Sequence, residues 1–377
     1  MRWHAPQSET QPASGGGMQL MKSTALLAVF LLGFALAPAS WAAQPTKPAF
    51  DEKAVANFYH GKSVRIVVGF SAGGGYDQYS RVIARHLSKY IPGNPAVIVD
   101  NMPGAGSIIA ANHIYNAAPK DGTVIGNISG PIVLEQLFGT PSVQFDMDKF
   151  RYLAVPISES YMMIVHKRTG ITKFDDLRGE KAKPVTMGAI PGSTVEHAPI
   201  LVKEALNANL KIVSGYKGTA DVRLALDSGE VDGFFNTWTS SKLTSLDKLK
   251  SGEWVVLAQL CEKPMKDLIV PNVPTIPQIA RSDEQRLLLK YGTSTPNAFG
   301  KVYVVPPGTP GDRAQALEVA FERAMKDKEL LAEAAKGRLD FDPLFGNTVH
   351  KLVIEFLGMP ADVKAKLQTM LKSPLKK

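Results

Sequence analysis

The chain has 377 residues, of which 45% are hydrophobic and 21% are charged, and its formal net charge is +8. These values are typical of a globular protein, and the length exceeds a usual single core, so they predict two domains. Cys261 is the only cysteine, which excludes an intramolecular disulfide. Lysine and arginine are spread along the chain without interleaved aromatic residues, which argues against a nucleic-acid partner.

The first predicted element is a cleavable signal peptide over residues 1–42. Lys22 precedes an apolar run at residues 25–37, and the small residues Ser40 and Ala42 follow. A positive start, a short apolar run and a small-x-small site are typical of secretory signals, and the run is too short to span a bilayer comfortably. We therefore expect cleavage after Ala42, export to the periplasm and, without a cysteine at that site, no lipid anchor. The sequence allows Met1, Met18 or Met21 as the first residue of the translated protein.

The mature chain opens with a strand, a glycine-rich turn and a helix. Residues 64–70 are apolar and β-branched, residues 71–75 read Ser-Ala-Gly-Gly-Gly, and residues 76–90 carry an apolar stripe at helical spacing. Asp77 stands where a carboxylate can cap free backbone N–H groups. Glycines let a ligand approach the backbone, and the helix dipole favours negative charge, so we predict an anion site near residues 70–77. An ordinary tight turn of an α/β protein is the alternative.

A second interpretation of the same turn is catalytic. Residues 69–73 read Gly-Phe-Ser-Ala-Gly, which matches the nucleophile elbow of α/β-type serine hydrolases with Ser71 as nucleophile. The position argues against it, because residues 64–70 form the first predicted strand. A hydrolase needs earlier strands and an oxyanion loop, and no His-Gly-Gly-Gly precedes this segment.

No metal or cofactor is predicted. The seven histidines are scattered, and none pairs with another at ligand spacing. The chain lacks a Gly-x4-Gly-Lys-Ser/Thr loop. Asp77 and Gln78 occupy positions where the dinucleotide fingerprint requires a later glycine.

Strands and helices then alternate through two blocks. Strands are predicted over residues 96–100, 123–127, 152–156, 161–166, 184–190, 210–216, 231–236, 254–259 and 302–305. Helices are predicted over residues 107–117, capped by Ser107, over 193–207, which opens with a capping box, over 219–228, and from residues 310, 348 and 361. This order predicts an α/β fold with mostly parallel sheets flanked by helices. Each block has an apolar strand, a glycine turn and a helix start, so two such strand ends can face an anionic ligand across a cleft.

Several of these segments together resemble one protein family. Residues 64–85, with Gly-Phe-Ser-Ala-Gly-Gly-Gly-Tyr-Asp at their centre, resemble the opening of the substrate receptors of tripartite tricarboxylate transporters, the TctC or Bug-type family. Further blocks in the family's order lie at residues 101–106, 118–122, 216–219, 229–232, 271–275 and 305–310. The resemblance covers about residues 62–358.

The resemblance implies a two-domain periplasmic binding protein of the type II, Venus-flytrap kind. Domain 1 would combine residues 62–161 and 295–377, and domain 2 would comprise residues 162–294, with hinges near 157–161 and 294–300. Such a receptor is a monomer without catalytic residues. It captures a small organic carboxylate between its domains and delivers it to the permease subunits of the transporter.

The resemblance also implies which residues bind the ligand. In such receptors the carboxylate is held mainly by backbone N–H groups, hydroxyl groups and waters from both domains. The matching positions here are Phe70, Ser71, Gly74, Gly75, Tyr76, Asp77 and Ser129 in domain 1, and Ala189, Gly192, Ser193, Thr194, Tyr216, Gly218, Thr219, Asp221 and Asn236 in domain 2. Tyr216 is alternatively a core aromatic, and Asp77 and Asp221 are alternatively helix caps.

Tyr76 departs from the family pattern, because many relatives have a small residue there. A phenol in the cleft can stack on a ring, donate a hydrogen bond or shrink the cavity. The sequence therefore also allows neutral and aromatic ligands.

A receptor that presents its ligand to a signalling sensor is a further alternative. Neighbouring genes for two membrane subunits would favour transport, and an adjacent sensor kinase would favour signalling.

The signal peptide gives the first testable prediction. We expect the intact mass of protein recovered from the periplasmic fraction to match a chain that starts near Ala43. Recovery only in the membrane fraction, with residues 25–37 still attached, would show a permanent anchor instead.

Overall fold

The computed structural model of the protein describes residues 50–265 and 267–372. The predicted signal peptide and its cleavage site lie outside these residues. The described residues belong to one compact unit. Within them, no helix combines the length and the apolar character that crossing a membrane would require.

The described strands form two sheets. In chain order they are β1 (Ser63–Val68), β2 (Ala96–Asn101), β3 (Val124–Ser129), β4 (Arg151–Val155), β5 (Tyr161–His166), β6 (Val185–Ala189), β7 (Leu210–Ser214), β8 (Gly233–Thr237), β9 (Trp254–Leu260), β10 (Lys301–Val305) and β11 (Leu344–Phe345). The first sheet has the strand order β11-β4-β10-β3-β1-β2, and the second has the order β7-β6-β8-β5-β9. The chain therefore leaves the first sheet after β4 and returns to it at β10.

The pairing within both sheets is mixed. In the first sheet β1 runs parallel to β2 and β3, whereas β10 pairs antiparallel with β3 and β4. In the second sheet β6 runs parallel to β7 and β8, whereas β5 pairs antiparallel with β8 and β9. The predicted strand–helix units supply the parallel pairs. The antiparallel pairs of β10 and β5 arise where a strand enters each sheet from the other, and the short β11 adds a further antiparallel pair with β4. The local sequence pattern does not encode these pairs.

Helices cover both sheets. They are α1 (Glu52–Tyr59), α2 (Gly75–Leu87), α3 (Ile108–Asn112), α4 (Val133–Leu137), α5 (Thr194–Leu206), α6 (Thr219–Ser228), α7 (Trp238–Thr244), α8 (Leu246–Lys250), α9 (Ile276–Ile279), α10 (Asp283–Leu289), α11 (Gly311–Ala324), α12 (Lys328–Lys336), α13 (Gly346–Leu357) and α14 (Ala361–Lys372). The predicted helices and strands are confirmed to within a few residues. Seven helices were not predicted, namely α1, α4, α7, α8, α9, α10 and α12. Most of them span only one to two turns, which leaves too short a periodic signal.

The apolar stripe of α2 shows how the sequence pattern builds the core. Tyr79, Val82, Ile83 and Leu87 are all buried, and they pack in one cluster with residues of β1 and α11. Such a stripe, spaced by three and four residues, places one helix face against the sheet. Because α2 is anchored along this face, its N-terminus has a fixed position at the end of β1.

Ser107 does not cap α3 as predicted. Its side chain makes no capping hydrogen bond. Instead, its hydroxyl accepts a hydrogen bond from the backbone N–H of Ser129 at 3.2 Å. The serine therefore joins the start of α3 to the end of β3, because the first sheet brings these two segments together.

A buried ion pair lies where the chain passes between the sheets. Glu159 stands in the segment between β4 and β5, Lys301 begins β10, and their side chains form an ion pair while only 2% and 1% exposed. The hydroxyl of Thr239 in α7 also donates to the Glu159 carboxylate. Burial lowers the pKa of Lys301, and the Glu159 charge opposes that shift. The pair thus joins both crossing segments to the helix after β8.

The ion pair gives a stability prediction. Lys301→Met leaves the Glu159 charge buried and unpaired, so we expect it to lower the free energy of unfolding by about 3–5 kcal/mol. Urea denaturation measures this loss as a lower midpoint at an unchanged slope. The double variant with Glu159→Leu should recover most of the loss. Lys326→Met, which breaks the exposed Lys326–Glu322 pair, should cost less than about 1 kcal/mol. A double variant as unstable as the sum of its single variants would contradict the account.

Candidate ligand-binding cleft

A small cavity lies between loops that follow strands of both sheets. Its free volume is about 20 Å³, about the space of one water. It is lined by Phe70, Ser71, Gly74, Gly75, Tyr76, Tyr161, Ile190, Ser193, Val195 and Thr219. The first five follow β1 of the first sheet, and the others belong to the second sheet or follow its strands. The two walls are therefore nearly in contact, and a larger molecule fits only when they separate.

Three helix N-termini meet at this cavity. Gly75 is the first residue of α2, Thr219 is the first residue of α6, and Ser193 is the N-cap of α5. The first N–H groups of a helix have no partner within the helix, and the helix dipole adds partial positive charge there. No lysine, arginine or histidine lines the cavity. The cavity can therefore attract an anion through backbone groups rather than through a cationic side chain.

Asp77 holds the glycine-rich turn in place. Its carboxylate accepts a hydrogen bond from the Gly73 N–H at 2.9 Å and forms an ion pair with Arg81 at 2.9 Å. Burial raises the pKa of Asp77, but the hydrogen bonds from Arg81 and Gly73 outweigh burial, so the pKa lies below its ordinary value. Asp77 faces the turn rather than the cavity, in agreement with its alternative interpretation as a cap.

Glycines allow the walls to approach each other. A Cβ atom on Gly218 would lie 2.0 Å from the Ser71 hydroxyl oxygen, and one on Gly74 would lie 3.3 Å from the Thr219 hydroxyl oxygen. The Ser71 hydroxyl donates to the Asp221 carboxylate at 3.4 Å. Residues 71–74 of the first wall therefore fit directly against the start of α6.

Tyr76 presents its ring, not its hydroxyl, to the cavity. The hydroxyl donates to the Gly300 carbonyl at 2.8 Å, and the ring lies 4.3 Å from the Phe70 ring, centroid to centroid. Of the three roles that the sequence allows for this phenol, the geometry fits stacking on a ring and shrinking the cavity, because the hydroxyl already donates its hydrogen bond to Gly300. Together with Tyr161, Ile190 and Val195 of the opposite wall, these rings make much of the cavity lining apolar.

Ser193 uses its hydroxyl within its own turn. It donates to the Ile190 carbonyl at 2.8 Å and accepts from the Val195 N–H at 3.2 Å. Glu196 accepts from the Gly192 N–H at 2.8 Å, so the predicted capping box is shifted by one residue. This start of α5 therefore offers a ligand backbone groups rather than a free hydroxyl.

The predicted site residues fall into two groups. Seven of them line the cavity, namely Phe70, Ser71, Gly74, Gly75, Tyr76, Ser193 and Thr219. The others do not line it in this structure. They are Asp77, Ser129, Ala189, Gly192, Thr194, Tyr216, Gly218, Asp221 and Asn236. Whether these positions bind a ligand stays a prediction.

Residues away from the cavity have identifiable partners. The Tyr216 hydroxyl is hydrogen-bonded to Glu230, and the Asn236 amide donates to the Ser241 hydroxyl. Thr194 exchanges hydrogen bonds with Asn297. Gly218 and Asp221 contact Ser71 as described above. The contacts of Tyr216, Asn236 and Thr194 therefore lie away from the cavity, whereas those of Gly218 and Asp221 with Ser71 join the two walls of the cleft.

Three lining residues were missed by sequence reasoning. Tyr161 begins β5, Ile190 follows β6, and Val195 lies in the first turn of α5. Ile190 could have been predicted from the sequence, because it directly precedes the predicted glycine turn of the second block. Tyr161 carries no local signal, since its position depends on how β5 enters the second sheet.

One side-chain group among the described residues has metal-ligand geometry. His86, Asp327 and Glu329 bring possible ligand atoms within 4.8 Å of one another. The ammonium of Lys89 already contacts both carboxylates, at 2.5 Å and 2.7 Å. Lys89 thus supplies the positive charge that these carboxylates need, on a surface away from the cleft residues.

Comparison with known proteins identifies the family. The family model described as "Tripartite tricarboxylate transporter family receptor" matches residues 79–354. The chain belongs to this family. Its fold class is that of the two-domain periplasmic binding proteins, as the sequence predicted. The serine-hydrolase alternative gains no support, since the Ser71 hydroxyl is paired with Asp221 rather than with a histidine.

Individual relatives show the extent of the similarity. The "UPF0065 protein in gbd 5'region" of Cupriavidus necator is 27% identical over 82% of this chain and 92% of its own length. MatC of Rhodopseudomonas palustris with bound malate is 18% identical, with a TM-score of 0.60, over 83% of this chain and 99% of that chain. An R. palustris protein with adipate is 20% identical, with a TM-score of 0.61, over 82% and 98%. The two structures show a shared fold.

Asp77 gives a pH-dependent prediction. Because its folded-state pKa is lowered, it stabilises the fold above its unfolded-state pKa of about 3.9, and that contribution is lost as the pH falls through the folded-state value. Asp77→Asn should therefore lower the free energy of unfolding at pH 7 by about 1–3 kcal/mol. The difference from wild type should shrink as the pH is lowered from 5 to 2, measured by thermal unfolding. The exposed Asp267→Asn, which removes one carboxylate from the surface, serves as control. A difference that stays constant over this range would contradict the role of the charge.

Proposed function

We propose that this protein is a periplasmic receptor that captures a small organic carboxylate in the cleft between its two sheets. It then delivers the ligand to the membrane permease subunits of a tripartite tricarboxylate transporter. The observation that carries the proposal is the meeting of three helix N-termini at a cavity without a cationic side chain. Backbone donors to an ionised group contribute about 1.5–3 kcal/mol each, so several of them can hold a carboxylate.

The relatives support the same ligand class. Two structures with this fold carry malate and adipate, which are both carboxylates.

We infer that residues 62–161 and 295–377 form one domain and residues 162–294 the other, with hinges near residues 157–161 and 294–300. The described contacts support this division, because the chain passes between the sheets at these segments. We also infer a monomer that binds its ligand without chemical conversion.

The closed cleft implies a cycle of opening and closing. With about 20 Å³ of free volume, the cleft must open before a carboxylate enters. Closure then brings the turn at residues 71–75 and the starts of α5 and α6 to the ligand from both sides. This removes water, and in the drier cleft the backbone dipoles act more strongly on the bound charge.

Gly74 provides the sharpest test of this cleft. A Cβ atom there points at Thr219 across the cleft, whereas one on Gly75 points at Lys301 and Ser240 behind the turn. The Gly74 backbone is extended, with φ −87° and ψ 174°, so valine fits it without strain. We expect Gly74→Val to fold normally and to weaken binding by about tenfold or more, which corresponds to about 1.4 kcal/mol.

Binding is measured with malate and adipate as probes, by thermal shift and calorimetry. At least one probe should raise the melting temperature of the wild type. Gly311→Val is the matched control, because a Cβ atom at Gly311 meets nothing within 4 Å. Undiminished affinity in Gly74→Val would place the site elsewhere, and a wild type that binds neither probe would contradict these two carboxylates as ligands.

A further inference from the structure

A buried histidine–glutamate contact joins α4 to α5. Glu135 lies in α4, which follows β3 of the first sheet, and His197 lies in α5, which follows β6 of the second. The Nε2 atom of His197 lies 2.9 Å from Oε1 of Glu135, while the two side chains are only 2% and 14% exposed. Neither residue lines the cavity. Since the proposed division assigns the two residues to different domains, the contact joins the domains outside the ligand site.

Glu135 is oriented from its own side of this contact. Its Oε2 accepts a hydrogen bond from the Thr140 hydroxyl at 2.6 Å, which leaves Oε1 to His197. Burial raises the pKa of Glu135, but the hydrogen bonds from His197 and Thr140 and the charge of Lys372 outweigh burial, so the pKa lies below its ordinary value. The carboxylate therefore stays ionised at neutral pH, and His197 is the donor to its second oxygen.

His197 depends on Glu135 for the hydrogen bonding of its ring. Its Nδ1 is shielded from solvent and has no hydrogen-bond partner among the described residues. His197 also stands one helical turn after Ser193, the N-cap of α5, which lines the cavity. The contact with Glu135 thus fixes the start of α5 relative to the first sheet.

Helix α14 contacts both sides of the seam between α4 and α5. On one side, the side chains of Gln368 and Lys372 donate to the Phe138 carbonyl, which directly follows α4. On the other side, α14 packs against α5 and α10, and its Lys366 forms an ion pair with Glu284 at 2.8 Å. These contacts agree with the low exposure of the histidine and the carboxylate, which depend on each other in place of water.

We propose that Glu135 and His197 are positioning residues that form a latch between the two domains and raise the affinity for ligand without contacting it. This inference rests on the proposed function, because it takes the two sheets to belong to domains that close around a carboxylate. When the cleft opens, α4 and α5 separate, and water solvates both side chains. A contact that is made in only one of two states shifts the population toward that state. Because the closed state retains the ligand, the latch raises the apparent affinity.

Variants of both residues test the latch. His197→Leu leaves the Glu135 carboxylate without its partner when the cleft closes, so we expect the affinities for malate and adipate, measured by calorimetry, to fall by about tenfold or more. The factor should be the same for both probes, because the latch does not touch the ligand. For the same reason the radius of gyration of the ligand-free protein should rise in solution scattering. The double variant with Glu135→Leu should bind more tightly than two independent losses would allow, since no charge is left unpaired.

His86→Leu is the matched control. The Nε2 atom of His86 lies 2.7 Å from Oε2 of Glu333, so the variant also breaks a histidine–glutamate contact. That contact joins α2 to α12, which both lie in the first domain of the proposed division. The control should therefore keep the radius of gyration and the affinities of the wild type.

Two results would overturn the latch while the proposed function stands. One is a His197→Leu variant with the radius of gyration and the affinities of the wild type. The other is a double variant whose loss equals the two single losses combined, since the residues would then act independently. If the wild type binds neither probe, the proposed ligands fail, and the radius of gyration decides on the latch. A rise in His197→Leu but not in His86→Leu would then support it, and equal values would overturn it.

Discussion

The convergence of three helix N-termini on one cavity is the constraint on which the rest of the cleft depends. Each helix brings backbone N–H groups that lack a partner within the helix, and three such ends close together repel one another electrostatically. The fold tolerates this because α2 is anchored along a buried stripe, and α5 and α6 are fixed at the ends of β6 and β7. Each of these helices also carries an acidic residue in its first turn, namely Asp77, Glu196 and Asp221, which offsets part of the positive charge at its N-terminus. An anion that bridges the two walls relieves the repulsion and favours the closed cleft.

The close approach of the walls depends on residues without side chains. Gly218 leaves room for Ser71, and Gly106 lies so close to Gly192 that a Cβ atom would be 2.5 Å from the Gly192 backbone. Both contacts join a turn of the first sheet to a turn of the second. Glycine is thus required here for space between the walls and not only for backbone conformation. The same contacts limit the volume of the closed cleft, so under the proposed function the shape of the cleft contributes to ligand selection.

The sequence predicted the local units well and their arrangement less well. The strand–turn–helix unit around Gly74 was visible because apolar periodicity and a glycine run are local signals. The start of α5 was visible through Ser193 and its following glutamate. The antiparallel neighbours of β5 and β10, and the entry of Tyr161 into the cavity, follow from contacts between residues far apart in the chain. No local pattern encodes these.

Tyr76 shows that a family motif can predict where a residue lies without predicting what its hydroxyl and its ring contact. The resemblance placed this residue in the cleft, and the cavity indeed includes it. Its hydroxyl, however, donates a hydrogen bond to the Gly300 carbonyl, which lies next to Lys301, where the chain re-enters the first sheet. The residue therefore joins the wall of the cavity to a crossing segment, and its ring rather than its hydroxyl faces the cavity. Because the ring is fixed by this bond and by Phe70, it makes the cavity narrow and partly apolar. Under the proposed function, the shape of the cavity therefore selects the body of the ligand, while the helix N-termini select its charge.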